Sequence, residues 1–186
     1  MIKVSFVSLL VAATLSAAPL ADQESTVQKA SVASNALLQR LGSELVGQMQ
    51  NGGPMAALHF CSQNALHLTD QIGKEHNLSI KRVSLENRNP INMPSSAEKS
   101  VLERWKKMQE SGAPLPPYEL TTQNGSYSYY KPITIAKEAC LKCHGDISGN
   151  TALYKAIKEL YPEDKATGYK MGDLRGMIVV TIPEKH

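Results

Sequence analysis

The N-terminal half of the chain carries two helical patterns separated by a short break. In the first pattern, apolar side chains recur at steps of three and four residues, which predicts a helix over residues 26–50. The repeating positions are Leu38, Leu41, Leu45 and Met49. The break is Asn51-Gly52-Gly53-Pro54, where glycine ends one helix and proline begins the next. We therefore expect two helices joined at these glycines.

The second helical pattern, over residues 54–72, includes a cysteine on its apolar stripe. The stripe consists of Leu58, Cys61, Ala65, Leu68 and Ile72. Because such a stripe faces the core, we expect Cys61 to point inward, into the core or into whatever the core encloses. Two histidines of this helix, His59 and His67, lie off the stripe and are expected on a solvated face.

The rest of the chain mixes helices and strands. Ser95 and Glu98 form a capping-box pattern, and Asn124-Gly125 predicts a hairpin turn. Helices are predicted over residues 95–109 and 151–160, and strands over residues 78–85, 119–122, 126–131 and 175–182. Helices come first and antiparallel strands dominate later, which predicts an α+β fold with helices packed on one sheet.

Composition and charge exclude several classes of protein. The 186 residues are 42% hydrophobic and 20% charged, with a formal net charge of +3. These values exclude a collagen-like, coiled-coil or wholly disordered chain. The excess of positive charge is too small to predict a nucleic-acid or anionic-membrane partner. Without a repeat or a long linker, residues 22–186 are expected to form a single domain.

Residues 1–21 have the pattern of a signal peptide. Lys3 precedes an almost wholly apolar run over residues 4–15, and small residues follow at positions 16–18 and 21. The run is too short to span a bilayer, which needs roughly 20 residues. We therefore expect export to the periplasm and a mature protein without a membrane span.

The segment Cys140-Leu141-Lys142-Cys143-His144 has the C-x-x-C-H pattern that attaches c-type haem. Two intervening residues in a helical turn bring both thiols to one edge of a porphyrin, where they add to its two vinyl groups. The following histidine then lies beneath the iron as its proximal ligand. The pattern predicts one covalent haem c, held by Cys140 and Cys143, with His144 on the iron.

Two other interpretations of the paired cysteines are weaker. A thioredoxin-like redox pair needs a βαβ scaffold, and the pattern predicts none around residue 140. A structural zinc site needs four ligands, which usually come from two Cys/His pairs. The sequence offers no second pair, so Cys61 and a distant histidine would have to complete such a site.

The third cysteine, Cys61, has no intramolecular disulfide partner once the other two form thioethers. A free thiol in an oxidising compartment is open to oxidation unless it is buried or bound. Two hypotheses are open for it. It is either an inert core cysteine, which is common, or the sixth ligand of the haem iron on the distal face.

Several stretches, in order over nearly the whole chain, resemble one protein family. They are Ala57-Leu58-His59-Phe60-Cys61-Ser62, Arg82-Val83-Ser84-Leu85, Arg88-Asn89-Pro90-Ile91-Asn92, Tyr129-Tyr130-Lys131-Pro132, Cys140-Leu141-Lys142-Cys143-His144-Gly145, Gly168-Tyr169 and Gly172-Asp173-Leu174-Arg175-Gly176. The sequence resembles the bacterial c-type haem domain family with a PAS-like fold, catalogued as a domain of unknown function. Its members occur alone or as sensor segments ahead of histidine kinases and chemoreceptors.

The resemblance carries implications for both fold and ligands. It implies a five-stranded antiparallel sheet with flanking helices and long N-terminal helices. It also implies a haem iron held by histidine and cysteine, which are His144 and Cys61 here. A thiolate ligand donates negative charge and favours Fe(III), so a low reduction potential is expected.

Other side chains are candidates for the surroundings of a haem. The predicted partners of the haem carboxylates are Arg88, Asn89 and Lys131. The alternative role for each of these residues is surface charge or turn formation. Methionines predicted to pack rather than to bind iron are Met93, Met171 and Met177. His59 and His67 are alternative distal ligands, but both lie off the stripe that carries Cys61, which favours a solvated helix face for them. The candidates for lining the haem edge are Tyr127, Tyr129 and Tyr130. Because side chains alternate between the two faces of a strand, not all three can do so.

Three functions are compatible with these patterns. The first is a redox or ligand sensor whose output belongs to a separate signalling partner. The second is a periplasmic electron carrier with a redox protein as partner. The third, an enzyme such as a peroxidase, needs an open iron position and an acid–base residue above it, which a distal Cys61 would remove. A displaceable Cys61 favours sensing, because ligand exchange would alter the packing of its helix.

Overall fold

The computed structural model describes residues 18–123 and 125–183. Its helices are α1 (Ala18–Glu75), α2 (Ser96–Glu110), α3 (Glu138–His144) and α4 (Thr151–Leu160), with a 3₁₀ turn at Pro90–Asn92. Its strands are β1 (Ser79–Val83), β2 (Glu119–Gln123), β3 (Ser126–Thr134) and β4 (Leu174–Pro183). The predicted leader, residues 1–21, lies outside the described residues except for 18–21, whose backbone begins α1.

The four strands form one antiparallel sheet in the order β1-β4-β3-β2. The C-terminal strand β4 is central, because it pairs with β1 through Arg82 and Ile178 and with β3 through Lys131 and Ile178. The fold is therefore α+β and PAS-like, with a long N-terminal helix, as predicted. The resemblance implied five strands, whereas the described residues form a sheet of four.

Helix α1 consists of two arms that meet at the predicted glycine break. Gly52 has φ −154° and ψ 17°, and Gly53 has φ 66° and ψ −160°, both outside helical values. The second pair of angles lies in a region that only glycine adopts readily. The predicted pair of helices is thus confirmed. The second arm, residues 54–75, extends slightly beyond its predicted C-terminal end.

Each face of the sheet carries its own hydrophobic core, because side chains alternate along β4. On one face α1 packs in what we call the α1 cluster: Ala30, Leu37, Ile72, Tyr127, Tyr129, Ile178, Val180 and Ile182. On the other face α2 packs in the α2 cluster: Val83, Val101, Leu102, Trp105, Tyr130, Met177 and Val179. The predicted capping box at the start of α2 is confirmed, since Ser95 Oγ accepts from the Glu98 amide.

A third, smaller core attaches the segment after β3 to the second arm of α1. In this arm cluster, Leu58 packs against Ile147, Leu153 and Ile157, which are all at most 6% exposed. Cys143 borders the cluster. The arm cluster therefore fixes α3 and α4 beside the helix that carries Cys61.

Within the described residues, the helices include none that combines the length and apolar character needed to cross a bilayer.

Candidate functional site

Helix α3 carries all three residues of the C-x-x-C-H pattern within two turns. Cys140, Cys143 and His144 lie on a seven-residue helix, as the predicted helical turn requires. Both thiols are free and half-buried. Burial raises the pKa of the Cys143 thiol, and the positive charge of Arg88 opposes that shift. The cysteines thus sit at the border between the arm cluster and solvent.

The imidazole of His144 is held in one orientation by a backbone carbonyl. Its Nδ1 lies 2.7 Å from the carbonyl oxygen of Ala166. A carbonyl only accepts hydrogen bonds, so Nδ1 carries the proton and Nε2 keeps its lone pair. Burial holds the pKa of His144 well below its usual value, and Arg175 and Arg88 lower it further. The ring is therefore neutral at pH 7 and offers Nε2 to a metal.

The loop that provides this carbonyl is anchored by a buried ion pair. Arg88 donates from Nε and Nη2 to the carboxylate of Asp164, at 3.0 and 3.2 Å. The same Nη2 also donates to the carbonyls of Cys143 and Ala166, at 2.7 and 3.2 Å. The side chains are 12% and 1% exposed. One guanidinium thus joins α3 to the loop that orients His144.

A second connection to α3 comes from the residues just before β4. The amides of Gly168 and Tyr169 donate to the carbonyls of Gly145 and His144, at 3.0 and 2.9 Å. The ring of Tyr169 meets the imidazole edge-on, with the centroids 6.3 Å apart. The histidine is therefore constrained from its backbone, its Nδ1 atom and its ring face.

Cys61 does not lie in the apolar core, which is contrary to the prediction that it is buried. Its neighbours on the stripe are buried, with Leu58 and Ala65 only 2% and 5% exposed, but the side chain of Cys61 is exposed to solvent. Burial nevertheless raises the pKa of its thiol, against the positive charges of Arg82 and Arg88. Because the residue is exposed and yet protein atoms desolvate its thiol, we infer that Cys61 lines a cleft.

The arm cluster brings the helical arm of Cys61 next to α3. Cys143 packs against this cluster, which includes Leu58, about one turn before Cys61 on α1. Cys61 and His144 therefore lie on two neighbouring elements that the arm cluster joins. The cleft is the alternative that the stripe left open, in which the cysteine faces whatever the core encloses.

Two further arginines converge on this region. Arg82 on β1 interacts with the charge of Cys61, and Arg175 on β4 is the charged neighbour with the largest effect on His144. Burial lowers the pKa of both guanidinium groups. In each of them Nε is buried without a hydrogen-bond partner. The centre of the cleft is thus rich in positive charge.

The three predicted partners of the haem carboxylates lie in different parts of the structure. Arg88 lies at the site, with Nε and Nη2 bonded to protein groups. Asn89 is at the 3₁₀ turn, where its side-chain oxygen accepts from the amide of Ile91 at 3.0 Å. Lys131 is half-buried on β3, opposite Ile178. The structure brings Arg88 to α3 and leaves Asn89 in the turn-forming role that was its alternative.

The remaining candidates are exposed or belong to the two sheet clusters. His59 and His67 are exposed, as expected for the solvated face. Met177 is fully buried in the α2 cluster, but Met93 and Met171 are 64% and 46% exposed and so do not pack as predicted. The three tyrosines are all buried in the two sheet clusters and not in the arm cluster: Tyr127, Tyr129 and Tyr130.

Sequence patterns missed the residues that orient the histidine. Ala166 acts through its backbone carbonyl, which no side-chain pattern reveals, and Asp164 stands 76 positions from its partner Arg88. Arg82 and Arg175 lie inside stretches that resemble the haem domain family. That resemblance is the sequence signal that could have identified them as site residues.

The donor set fits a haem better than a bare metal ion. A neutral imidazole and two thiols lie on α3, and a third thiol lies on the arm of α1 that packs beside it. Over residues 18–123 and 125–183, no three His, Cys, Asp or Glu side chains are grouped as ligands for a metal ion. Two axial donors are sufficient for a haem iron, because the porphyrin supplies the other four.

Comparisons with known proteins agree with this architecture. No curated protein matches the sequence. Among solved structures, the chain is similar to one described as the crystal structure of the cyanobacterial heme-protein Tll0287. The TM-score is 0.62 at 24% sequence identity, over 89% of this chain and 97% of that one. At this identity the match establishes a shared fold. The model of the Tll0287-like family matches residues 11–183, and the chain therefore belongs to the Tll0287-like family.

Proposed function

We propose that this protein is an exported mono-haem c-type cytochrome with His/Cys axial ligation, acting in redox or ligand sensing. Family membership and the heme-protein description of the structural relative support a haem. The observation that carries the proposal is the bond from His144 Nδ1 to the Ala166 carbonyl, which leaves Nε2 free beside the two cysteines of α3. Metal-binding histidines are characteristically held in this way.

Covalent attachment requires only thiol additions. The sulfur of Cys140 or Cys143 bonds to one carbon of a vinyl group, and the thiol hydrogen goes to the other carbon, so no electrons are gained or lost. Both thiols are half-exposed, which allows a porphyrin edge to reach them. When bound, the haem supplies an iron that exchanges one electron and binds small ligands.

The protein prepares a ligand on each side of the cleft. His144 is kept neutral and fixed in orientation by its bond to Ala166. Cys61 retains its proton in the absence of metal, because burial raises the pKa of its thiol. A metal-bound thiol would lose that proton, and the positive charge of Arg82 would stabilise the resulting thiolate.

Sensing is supported by the way Cys61 is attached. Its helical arm is separated from the rest of α1 by the non-helical Gly52-Gly53 break. Release of Cys61 from iron would therefore change the packing of a segment that has its own junction, as a two-state element requires.

A periplasmic electron carrier is the alternative function. The half-exposed positions of Cys140 and Cys143 favour it, because they place the attached haem edge near the protein surface. Fast exchange of electrons with a partner protein needs such an exposed edge.

The primary test measures the cofactor directly. We expect purified protein from cells with a c-type maturation system to show the alkaline pyridine spectrum of one haem c per chain. Its intact mass should exceed that of the apoprotein by one haem, and acid–acetone should leave the pigment on the polypeptide. Extraction of all pigment would overturn the proposal. N-terminal sequencing of the periplasmic protein tests the predicted removal of residues 1–21.

Substitution of Cys61 tests the axial ligand. We expect Cys61→Ala to change the absorption spectrum and to raise the reduction potential, because a thiolate favours Fe(III). His59→Ala and His67→Ala are matched controls on the same helical arm, and both should leave the spectrum unchanged. An unchanged Cys61→Ala spectrum in both oxidation states would eliminate the cysteine ligand.

Exposure to CO and NO in both oxidation states separates the two functions. Ligand binding with loss of the cysteine spectrum supports sensing. A fast redox couple that binds neither gas supports electron transfer.

A further inference from the structure

We propose that Arg82 and Arg175 hold the two propionate carboxylates of the haem. This inference rests on the proposed function and adds the residues that receive the polar edge of the porphyrin. It differs from the sequence prediction, which placed Arg88, Asn89 and Lys131 in that role.

Arg82 is a cation with few partners in the interior of the site. It lies on β1 opposite Ile178 and faces the second arm of α1, where Nη2 donates to the carbonyl of Ala65 at a long 3.3 Å. Its Nε is buried without a partner. The groups that act on its charge are Cys61, Tyr161 and Arg175, and none of them is a carboxylate.

Arg175 is held in place by neutral groups. Its Nη1 donates to Ser84 Oγ at 2.7 Å and to the carbonyl of Glu86 at 3.0 Å. Its guanidinium carbon lies 5.4 Å from the centre of the Tyr169 ring. Its Nε is also buried and unpartnered. These contacts orient the guanidinium group without neutralising its charge.

Among the described residues, Arg88 is in an ion pair, whereas Arg82 and Arg175 have no carboxylate within salt-bridge distance. Asp164 also acts on Arg175, but this carboxylate is bonded to Arg88. Arg82 and Arg175 repel each other, as do Arg175 and Arg88. A buried charge without a counter-charge raises the free energy of the folded protein. Two anions bound to the two guanidinium groups at the cleft would remove this cost.

The haem satisfies this requirement in number and chemistry. It carries two carboxylates at the edge opposite its vinyl groups, while α3 holds the vinyl edge. Carboxylates pair with guanidinium groups through strong, often bidentate hydrogen bonds. With a thiolate ligand the oxidised haem also has a net charge of −2, from Fe(III), porphyrin, thiolate and two propionates. Two arginines balance that charge.

Lys131 remains the rival candidate. It stands opposite Ile178, as Arg82 does, and therefore lies on the same face of the sheet as Arg82, on the other side of β4. Unlike the two arginines, its side chain has no buried, unpartnered nitrogen. The two hypotheses predict different effects of single substitutions.

The test uses resonance Raman spectra of the holoprotein. We expect Arg82→Gln and Arg175→Gln each to shift a propionate bending mode and to lower the midpoint potential, because a cation near iron favours Fe(II). Arg82→Lys should restore the potential in part but not the mode, since lysine keeps the charge and loses the planar fork. Lys74→Gln is the matched control, because this lysine on α1 is 76% exposed.

Unshifted propionate modes in both glutamine variants, or a shift in Lys131→Gln alone, would overturn the assignment. If Arg175→Gln does not fold, infrared spectra of the unsubstituted protein with ¹³C-labelled propionates replace it. Ionised carboxylate bands at neutral pH support the arginine pairs, and a carboxylic acid band contradicts them. If the haem is covalently bound but its propionate modes do not change in the arginine variants, this inference alone is wrong. If no covalent haem is found, the proposed function itself is wrong.

Discussion

At the scale of single residues, His144 is prepared for metal by being kept neutral. Its folded-state pKa lies well below the 6.5 of a free imidazole because of burial and the charges of Arg175 and Arg88. The unfolded chain therefore binds a proton that the folded apoprotein does not. Stability consequently falls as pH decreases below about 6.5, until the folded pKa is reached.

This linkage predicts a pH dependence of the apoprotein. Between about pH 6.5 and the folded pKa, the free energy of unfolding should fall by up to about 1.4 kcal/mol per pH unit through His144. His144→Gln should remove this part of the slope, while His67→Gln, at an exposed position, should keep it. Urea unfolding of the three apoproteins measures the slopes. Parallel profiles for parent and His144→Gln would contradict the prediction.

At the scale of elements, the ion pair of Arg88 and Asp164 joins α3 to the loop that supplies the Ala166 carbonyl. Asp164→Asn leaves the guanidinium buried without a counter-charge. Removal of one partner from a buried pair costs about 3–5 kcal/mol, and urea unfolding should show a loss of this size. The control is Glu159→Gln, which breaks an exposed pair with Lys155 and should cost less than about 1 kcal/mol. Similar losses in both variants would exclude a role for the buried pair in joining these elements.

Two glycines of α1, one at the break and one inside the first arm, are expected to respond to substitution in opposite directions. Gly53 has φ 66° and ψ −160°, so Gly53→Ala should destabilise the protein by about 1–3 kcal/mol. Gly47 lies inside the helix with open space at its Cβ position, so Gly47→Ala should stabilise it by about 0.5–1 kcal/mol. Thermal or urea unfolding checks both values. Stabilisation by Gly53→Ala would mean that the two arms form one continuous helix in solution.

The sequence predicted these elements well because their causes are local. The Gly-Gly-Pro run at residues 52–54 breaks the helix through its own backbone preferences, and the Ser95 capping box acts within one turn. Periodicity failed at Cys61, because a stripe describes an average face and does not show that a cleft interrupts it. The partner of His144 could not be predicted, since Ala166 acts through its carbonyl across 22 positions.

At the scale of the whole molecule, the site depends on the smallest of the three cores. The α1 and α2 clusters pack against the sheet, whereas the arm cluster consists of Leu58, Ile147, Leu153 and Ile157. A bound haem would connect the second arm of α1 to α3 through Cys61 and His144 and so add to this core. Stability should therefore be distributed unevenly, and the cofactor should stabilise one part more than the rest.

Hydrogen exchange of the double variant Cys140→Ala/Cys143→Ala, compared with the holoprotein, tests this distribution. Amides of α2 and of residues 177–182 in β4 should keep their protection, because none of these residues is assigned a contact with the haem. Amides of α3, α4 and the start of the second arm should exchange roughly tenfold faster or more, since local opening there loses the haem. Trp105, fully buried in the α2 cluster, should keep its native fluorescence in the variant. Equal acceleration over the whole chain would mean that the three cores open as one unit, and the fold could then not support a switch confined to the arm of Cys61.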